Sequence, residues 1–570
     1  MPKKAPKHSS TSVTLYGKAA RRHLTPGFCL ILCLIACAPQ EVPADSEKVP
    51  ADSGGDAPIV VAGGEKLKGE WVGDASPVAV FKGIPYAAPP VRELRWRPPV
   101  AHSRRDGVQR ATEYGPACIQ DPDHVPAWYE YLAETFGQDT DLVPELEPTS
   151  EDCLHLNVWT ANLEGDEPWP VLVWIHGGAN TSGSPTELPY DGTNITSKGV
   201  VVISFNYRLN VFGFLAHPTL TAESEHGSSG NYGLLDQIAA LQWIQRNISA
   251  FGGDPERVTL FGESAGATNI AYLMSSPLAS GLFHRALMQS GGYAVSEFRT
   301  LADLEAMGEG FTGVLGIDES ADVLAALRAT DPEDLLRAAL ERYAGWDSVP
   351  NVDGWVLEEA PARVFEKGNQ ALVPLLVGFN SDEWTTLGHY SLDPTADGFR
   401  EALRGSYGEL AERALELYPV ANDEEATAAE YRWKTDSTFA CPSRFIADRV
   451  ARVTDDVYFY EFSRSLPVPG GDKLGAYHGA ETAYVMDNLK LETWVPRQEH
   501  DQHLADLMSD YWVRFAATGD PNGSGSPSWP VYRQESREYL ELGNRVEPGS
   551  GIRTAFCDLW DELQRSHLNP

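Results

Sequence analysis

One short turn constrains this chain more than any other feature. Gly262-Glu263-Ser264-Ala265-Gly266 is preceded by Val258-Thr259-Leu260-Phe261 and followed by the run Ala267 to Leu273. A β-branched run, a tight glycine-flanked turn and a helix-compatible run make a strand–turn–helix unit. Such a turn holds its serine in a strained backbone with the hydroxyl exposed. Side chains two residues to either side would collide, so glycine is needed there. The pentapeptide is short and carries weight only in context.

The surrounding chain supplies that context. Pro170 to Ile175 and Gly199 to Phe205 are continuous apolar runs and are predicted to be fully buried strands. Leu234, Ile238, Leu241, Ile244 and Ile248 recur at helical spacing. Asp254-Pro255 is a helix or turn start ahead of the strand that leads to Ser264. Residues 373–378 and 457–462 are strand-like, whereas 295–345 and 395–440 have a helical, acidic pattern of insertions. Continuous apolar strands separated by helices predict an α/β fold with a large, mostly parallel sheet covered on both faces. No clean linker divides residues 57–570, which are expected to form one domain.

The first 56 residues are different. Residues 1–36 carry six basic and no acidic residues, with a short apolar stretch from Phe28 to Ala36. That stretch is too short to span a bilayer and is expected to be an export signal. Leu34-Ile35-Ala36-Cys37 resembles a bacterial lipobox, which would make Cys37 a lipidated N-terminus; an ordinary secretory signal is the alternative. Residues 37–56 contain the duplicated Val-Pro-Ala-Asp-Ser and are expected to be a flexible acidic tether. Beyond residue 36 the chain holds 39 basic against 81 acidic residues. Such a surface repels nucleic acid and anionic headgroups, leaving the lipid on Cys37 as the expected membrane contact. Cys118, Cys153, Cys441 and Cys557 remain outside the leader. In an exported chain, disulfides Cys118–Cys153 and Cys441–Cys557 are the sequence-local choice, with four free thiols as the alternative.

A serine hydroxyl needs a base within hydrogen-bond reach, an acid to orient that base, and donors for the oxyanion. Here a resemblance becomes specific. Phe81-Lys82-Gly83-Ile84-Pro85-Tyr86-Ala87, Ser150-Glu151-Asp152-Cys153-Leu154, Asn206-Tyr207-Arg208-Leu209, Gly230-Asn231-Tyr232-Gly233-Leu234 and Phe251-Gly252-Gly253-Asp254-Pro255 resemble the type-B carboxylesterase family. The match runs from about residue 57 to Cys557-Asp558-Leu559-Trp560. The resemblance implies the α/β-hydrolase fold and hydrolysis of a small-molecule ester, with no metal or cofactor.

Carried over by motif, Ser264 is the nucleophile, His478 in His-Gly-x-Glu the base, and Glu383 in Asn380-Ser381-Asp382-Glu383-Trp384 the orienting acid. Asp382 is the alternative acid, and Trp384 replaces a glycine of the family pattern. The chain order Ser, Glu, His agrees with α/β hydrolases. The oxyanion donors are the N–H groups of Gly178, Ala179 and Ala265, where Ala179 replaces a third glycine. Asn180, in place of an aromatic residue, implies a more polar pocket wall. Glu263 corresponds to a family glutamate that faces the histidine, with a solvated carboxylate as the alternative; Ser290 is a supporting candidate. Two rival functions stand beside the esterase. One is a non-catalytic adhesion relative, although serine, acid and histidine are all present. The other is a cholinesterase, for which Trp128 lies too near Cys118. The leader and its likeness to a bacterial lipobox imply an exported bacterial protein, periplasmic or attached to the outer membrane. Oligomeric state and natural substrate are not readable from the sequence.

Overall fold

Val171, Val173 and Ile175 enter one buried layer while Leu172 and Trp174 enter another, although all five belong to one strand. A strand with both faces buried needs helices on both sides of its sheet, which accounts for its unbroken apolar run. The computed structural model describes residues 57–568 apart from 74–76, 297, 319–321, 343–347 and 389–393. The expected leader, Cys37 and the tether lie outside the described residues.

In chain order the strands are β1 (Ile59–Ala62), β2 (Glu65–Lys68), β3 (Glu70–Val72), β4 (Val78–Pro85) and β5 (Val108–Arg110). There follow β6 (His155–Thr160), β7 (Trp169–Ile175), β8 (Val201–Phe205), β9 (Gly253–Glu263) and β10 (Arg285–Gln289). The last are β11 (Leu375–Asn380), β12 (Val457–Phe462), β13 (Glu538–Leu542) and β14 (Val546–Ser550). The longer helices are α1 (His124–Thr135), α2 (Tyr232–Asn247), α3 (Ala265–Ser275), α4 (Leu301–Leu315) and α5 (Ala396–Tyr407). They continue with α6 (Asp423–Thr435), α7 (Cys441–Val450), α8 (Glu499–Thr518) and α9 (Thr554–Leu568).

Eleven strands form one sheet in the order β14-β13-β12-β11-β10-β9-β7-β8-β6-β4-β3. Every neighbouring pair from β13 to β8 is parallel. The pairs toward both edges are antiparallel. The expected mostly parallel sheet is therefore present, with antiparallel margins. On one face α2 contributes Leu234, Ile238, Leu241 and Ile244; on the other α8 contributes Leu504, Met508, Trp512 and Phe515. Both sets follow the three-and-four spacing that places side chains on one helical face. The predicted insertions are helical, with α4 in the first and α5 and α6 in the second. The second builds its own cluster from Phe399, Leu403, Tyr407 and Trp433.

One boundary differs from expectation. Asp254-Pro255 lies inside β9 rather than at a helix or turn start, where the pairing with β7 shifts register between Gly253 and Val258. The Asp254 carboxylate accepts from the Glu256 N–H and from Arg257 Nε. The aspartate thus satisfies a local irregularity of the strand, as in a bulge.

Both expected disulfides are formed, Cys118–Cys153 and Cys441–Cys557, with Cα separations of 5.0 and 4.8 Å. The second ties α7 to α9. Such bonds suit an extracellular or periplasmic protein. Among the described residues no helix is long and apolar enough to cross a membrane.

Candidate active site

The C-terminal ends of β7, β9 and β11 converge, which is where open parallel sheets place their ligands. Ser264 follows β9 directly with φ 55° and ψ −121°, a left-handed conformation that an L-residue adopts only under constraint. Its own N–H donates to the Gln289 carbonyl at 2.9 Å, and its carbonyl accepts from Thr268 N–H as α3 begins. The flanking glycines are dictated by contact. A Cβ on Gly266 would sit 1.9 Å from the Ile175 carbonyl oxygen, and one on Gly262 would sit 2.6 Å from the same atom. The elbow is pressed so closely against the end of β7 that no side chain fits.

His478 reaches the serine from the loop after β12. Its Nε2 lies 2.8 Å from Ser264 Oγ, and its Nδ1 lies 2.6 Å from Glu383 Oε2. The other Glu383 oxygen accepts the Asn380 N–H at 2.7 Å, and the carboxylate is fully buried. Asp382 does not compete for the imidazole. It accepts from the Ala476 N–H and the Ser381 hydroxyl, stabilising the turn. Trp384, in place of the family glycine, opens a short helix and packs its ring 6.3 Å from Phe439.

Three buried carboxyls surround the imidazole. Glu263 Oε1 lies 3.1 Å from Nε2 but accepts no hydrogen bond there, so the contact is electrostatic. Glu263 is buried, which removes the solvated alternative. Burial pushes its carboxyl up to about 8, against the opposing pull of His478. Burial lowers the His478 pKa, but Glu263, Glu383 and Glu481 outweigh it and raise the imidazole to about 9. Glu481 accepts from Asn380 Nδ2 at 2.5 Å and from Gln289 Nε2 at 3.1 Å, and Trp512 Nε1 donates to Gln289 Oε1. These side chains fix Asn380, whose backbone N–H holds Glu383. Burial and the nearby Glu383 raise the Glu481 pKa.

Opposite the serine, Gly178, Ala179 and Asn180 follow β7 with φ of 95°, 54° and 57°. The Gly178 carbonyl accepts from the Thr181 and Ser182 N–H groups. The N–H groups of Gly178 and Ala179 have no partner among the described residues, and neither has that of Ala265, first residue of α3. Asn180 departs from expectation. Its side chain is buried and exchanges hydrogen bonds with Asn269 of α3, so it braces the loop rather than making a pocket wall polar. Ser290 also departs: its buried hydroxyl has no hydrogen-bond partner, and only its backbone N–H is engaged, by Gly378.

Two aromatic neighbours flank the base: Phe439, which nothing in the sequence singles out, and Trp128, which the sequence offers only as a poorly placed choline-site tryptophan. The rings of Phe439 and Trp128 lie 4.8 and 6.4 Å from that of His478. Trp128 is carried by α1, inside the loop closed by Cys118–Cys153. That loop is fastened to the segment after β7 twice. Gln120 exchanges two hydrogen bonds with Gly183, and the Tyr129 hydroxyl donates to Glu187 at 2.7 Å. Burial pushes the Glu187 carboxyl up to about 7 despite the hydrogen bonds from Tyr129 and the Ser184 N–H. A half-buried serine in line with a buried imidazole and a buried carboxylate, facing unpartnered amides, can pass a proton and hold an oxyanion.

The chain is similar to known esterases. The model of the carboxylesterase family matches residues 56–560. A fumonisin B1 esterase of Sphingopyxis macrogoltabida is 36% identical over 491 residues, covering 83% of this chain and 85% of the relative. A para-nitrobenzyl esterase of Bacillus subtilis (strain 168) is 36% identical over 481 residues, covering 82% and 91%. A solved PNB esterase superposes with a TM-score of 0.73 at 32% identity, covering 88% of this chain and 99% of that one. With the sheet described above, these matches identify the α/β-hydrolase fold.

Proposed function

This chain belongs to the carboxylesterase family and is a carboxylic-ester hydrolase, and we propose that it acts through an acyl-enzyme on Ser264. His478 Nε2 takes the Ser264 proton as Oγ attacks the ester carbonyl. Glu383 keeps the proton on Nδ1 and balances the imidazolium that forms. The N–H groups of Gly178, Ala179 and Ala265 bind the oxyanion of the tetrahedral intermediate. The imidazolium then gives its proton to the departing alcohol. Water, deprotonated by the same imidazole, attacks the acyl carbon and releases the acid and free Ser264.

The observation that carries this reading is the unbroken line from Ser264 Oγ through both imidazole nitrogens to Glu383, at 2.8 and 2.6 Å. Ser264→Ala should lower turnover of a short-chain aryl ester by at least ~10³-fold while leaving the fold intact. Retained turnover would refute the assignment. The aromatic rings flanking His478 support an alcohol group that carries an aromatic ring, in keeping with the para-nitrobenzyl group in the name of one relative. A cholinesterase-like preference is the second reading, favoured by Trp128, whose ring could meet a quaternary ammonium. Equal hydrolysis of a choline ester and its neutral carbon isostere would dismiss it. The chain is further proposed to be exported, with residues 1–36 removed, Cys37 lipidated and residues 57–570 folded as one domain.

A further inference from the structure

The small sheet at the start of the fold carries an apolar and basic face on this acidic protein. Its strands run in the order β1-β2-β5. Alternation sends Val60, Ala62 and Leu67 into the core and leaves Ile59, Val61, Lys66, Lys68, Val108 and Arg110 exposed. The register sets these six side by side. Val61 pairs with Lys66, which pairs with Val108; Ile59 pairs with Lys68, which pairs with Arg110. Ile59, Val61 and Val108 are 54, 59 and 51% exposed, high for β-branched apolar residues on one face. Neither lysine has an ion pair among the described residues; Arg110 pairs with the highly exposed Glu113 at 3.2 Å and reaches the Thr112 hydroxyl at 3.5 Å.

We propose that this face docks on an anionic phospholipid surface. A lipid bilayer interface takes apolar tips into its headgroup region and attracts basic side chains, and this face interleaves both. Its place in the chain adds a second argument. Nineteen residues, 38–56, separate Cys37 from the described fold, and the first strand of that fold is β1. Fully extended, they reach about 70 Å at most. A lipid on Cys37 would therefore hold this face near the bilayer at high effective concentration. The net negative charge of the body does not forbid contact, because at physiological ionic strength charges beyond about 8 Å are largely screened. The docking differs from the lipid anchor, since it orients the body, and it is independent of the catalytic assignment.

The test uses the chain from residue 38 onward, which keeps every described residue and carries no lipid. Its partition is measured by cosedimentation on vesicles of equal parts phosphatidylglycerol and phosphatidylcholine, and on phosphatidylcholine alone. A basic residue near an anionic bilayer is worth about fivefold in partition. The variant Lys66→Gln/Lys68→Gln/Arg110→Gln should therefore lose about 100-fold on the anionic vesicles. Ile59→Ser/Val61→Ser should also weaken binding, and added salt should weaken that of the unaltered chain. Both variants should hydrolyse a soluble short-chain aryl ester at the unaltered rate, which shows that they fold. Equal partition of the unaltered chain on both vesicle types overturns the proposal, as does wild-type-like binding by the triple variant. Concentration-dependent dimerisation in the absence of vesicles, abolished by Ile59→Ser/Val61→Ser, also overturns it and assigns the face to a second copy.

Discussion

The His478 imidazole is held from two sides built by opposite means. On the Nε2 side stands a backbone device. Ser264 sits at φ 55° in a turn wedged against β7, and Ala179 across from it carries φ 54°. On the Nδ1 side stands a side-chain device. Glu383, Glu481, Asn380 and Gln289 are buried and joined by hydrogen bonds, without backbone strain at any of the four. The first side leaves N–H groups without partners, and the second satisfies its carboxylates. A nucleophile and an oxyanion site must stay open to a substrate, whereas an orienting acid works best where nothing else can reach it.

Substitutions on the two sides should therefore fail differently. The largest effect is expected on the satisfied side. Glu383→Gln keeps the shape but removes the charge that balances the imidazolium and offers an amide donor toward Nδ1. Turnover of an aryl ester should fall about 10⁴-fold with little change in KM. A loss under tenfold would show that another carboxyl orients the ring.

A smaller effect is expected where the two sides meet, at Glu263. The base works only when neutral, and nearby carboxylates raise His478 to about 9, so turnover should climb with pH through that region. Glu263→Gln removes one of those carboxylates. The imidazole then loses its proton at lower pH, and the acid limb of the profile should move down by on the order of one pH unit. A pH–rate series on the variant checks this, and an unmoved limb would separate Glu263 from the imidazole.

The smallest effect belongs to the strained side. Ala179→Gly should relieve a left-handed alanine and raise stability by about 1 kcal/mol in denaturant unfolding, with turnover within about threefold of the unaltered chain. Lost stability would mean that the loop is held without strain.

The same contrast explains what could be read from the sequence. The elbow was legible because it is local. Five consecutive residues specify it, and the steric reason for Gly262 and Gly266 holds whatever surrounds them. The parallel sheet was legible from its apolar runs, and the two disulfides from cysteine position and compartment. Asp254-Pro255 reads as a turn because Asp254 hydrogen-bonds its own neighbours within a strand, a pattern that only the partner strand distinguishes. The carboxylate network was not legible. Gln289 and Asn380 end separate strands and Glu481 lies in a turn well after β12, and only the fold brings them together. Glu481 entered the sequence reading as context for His478, and its spacing was the one signal available. The role of Asn180 is not legible locally because its partner, Asn269, is 89 residues away in the chain.

The central claim is that Ser264 carries the acyl group. Rapid quenching during turnover of a short-chain aryl ester, followed by mass spectrometry of the digested chain, tests it directly. The predicted result is an acyl mass on the peptide containing Ser264, absent in Ser264→Ala and accumulating in a burst of aryl alcohol stoichiometric with enzyme. Steady turnover without that adduct, or an acyl group on any other residue, would contradict it.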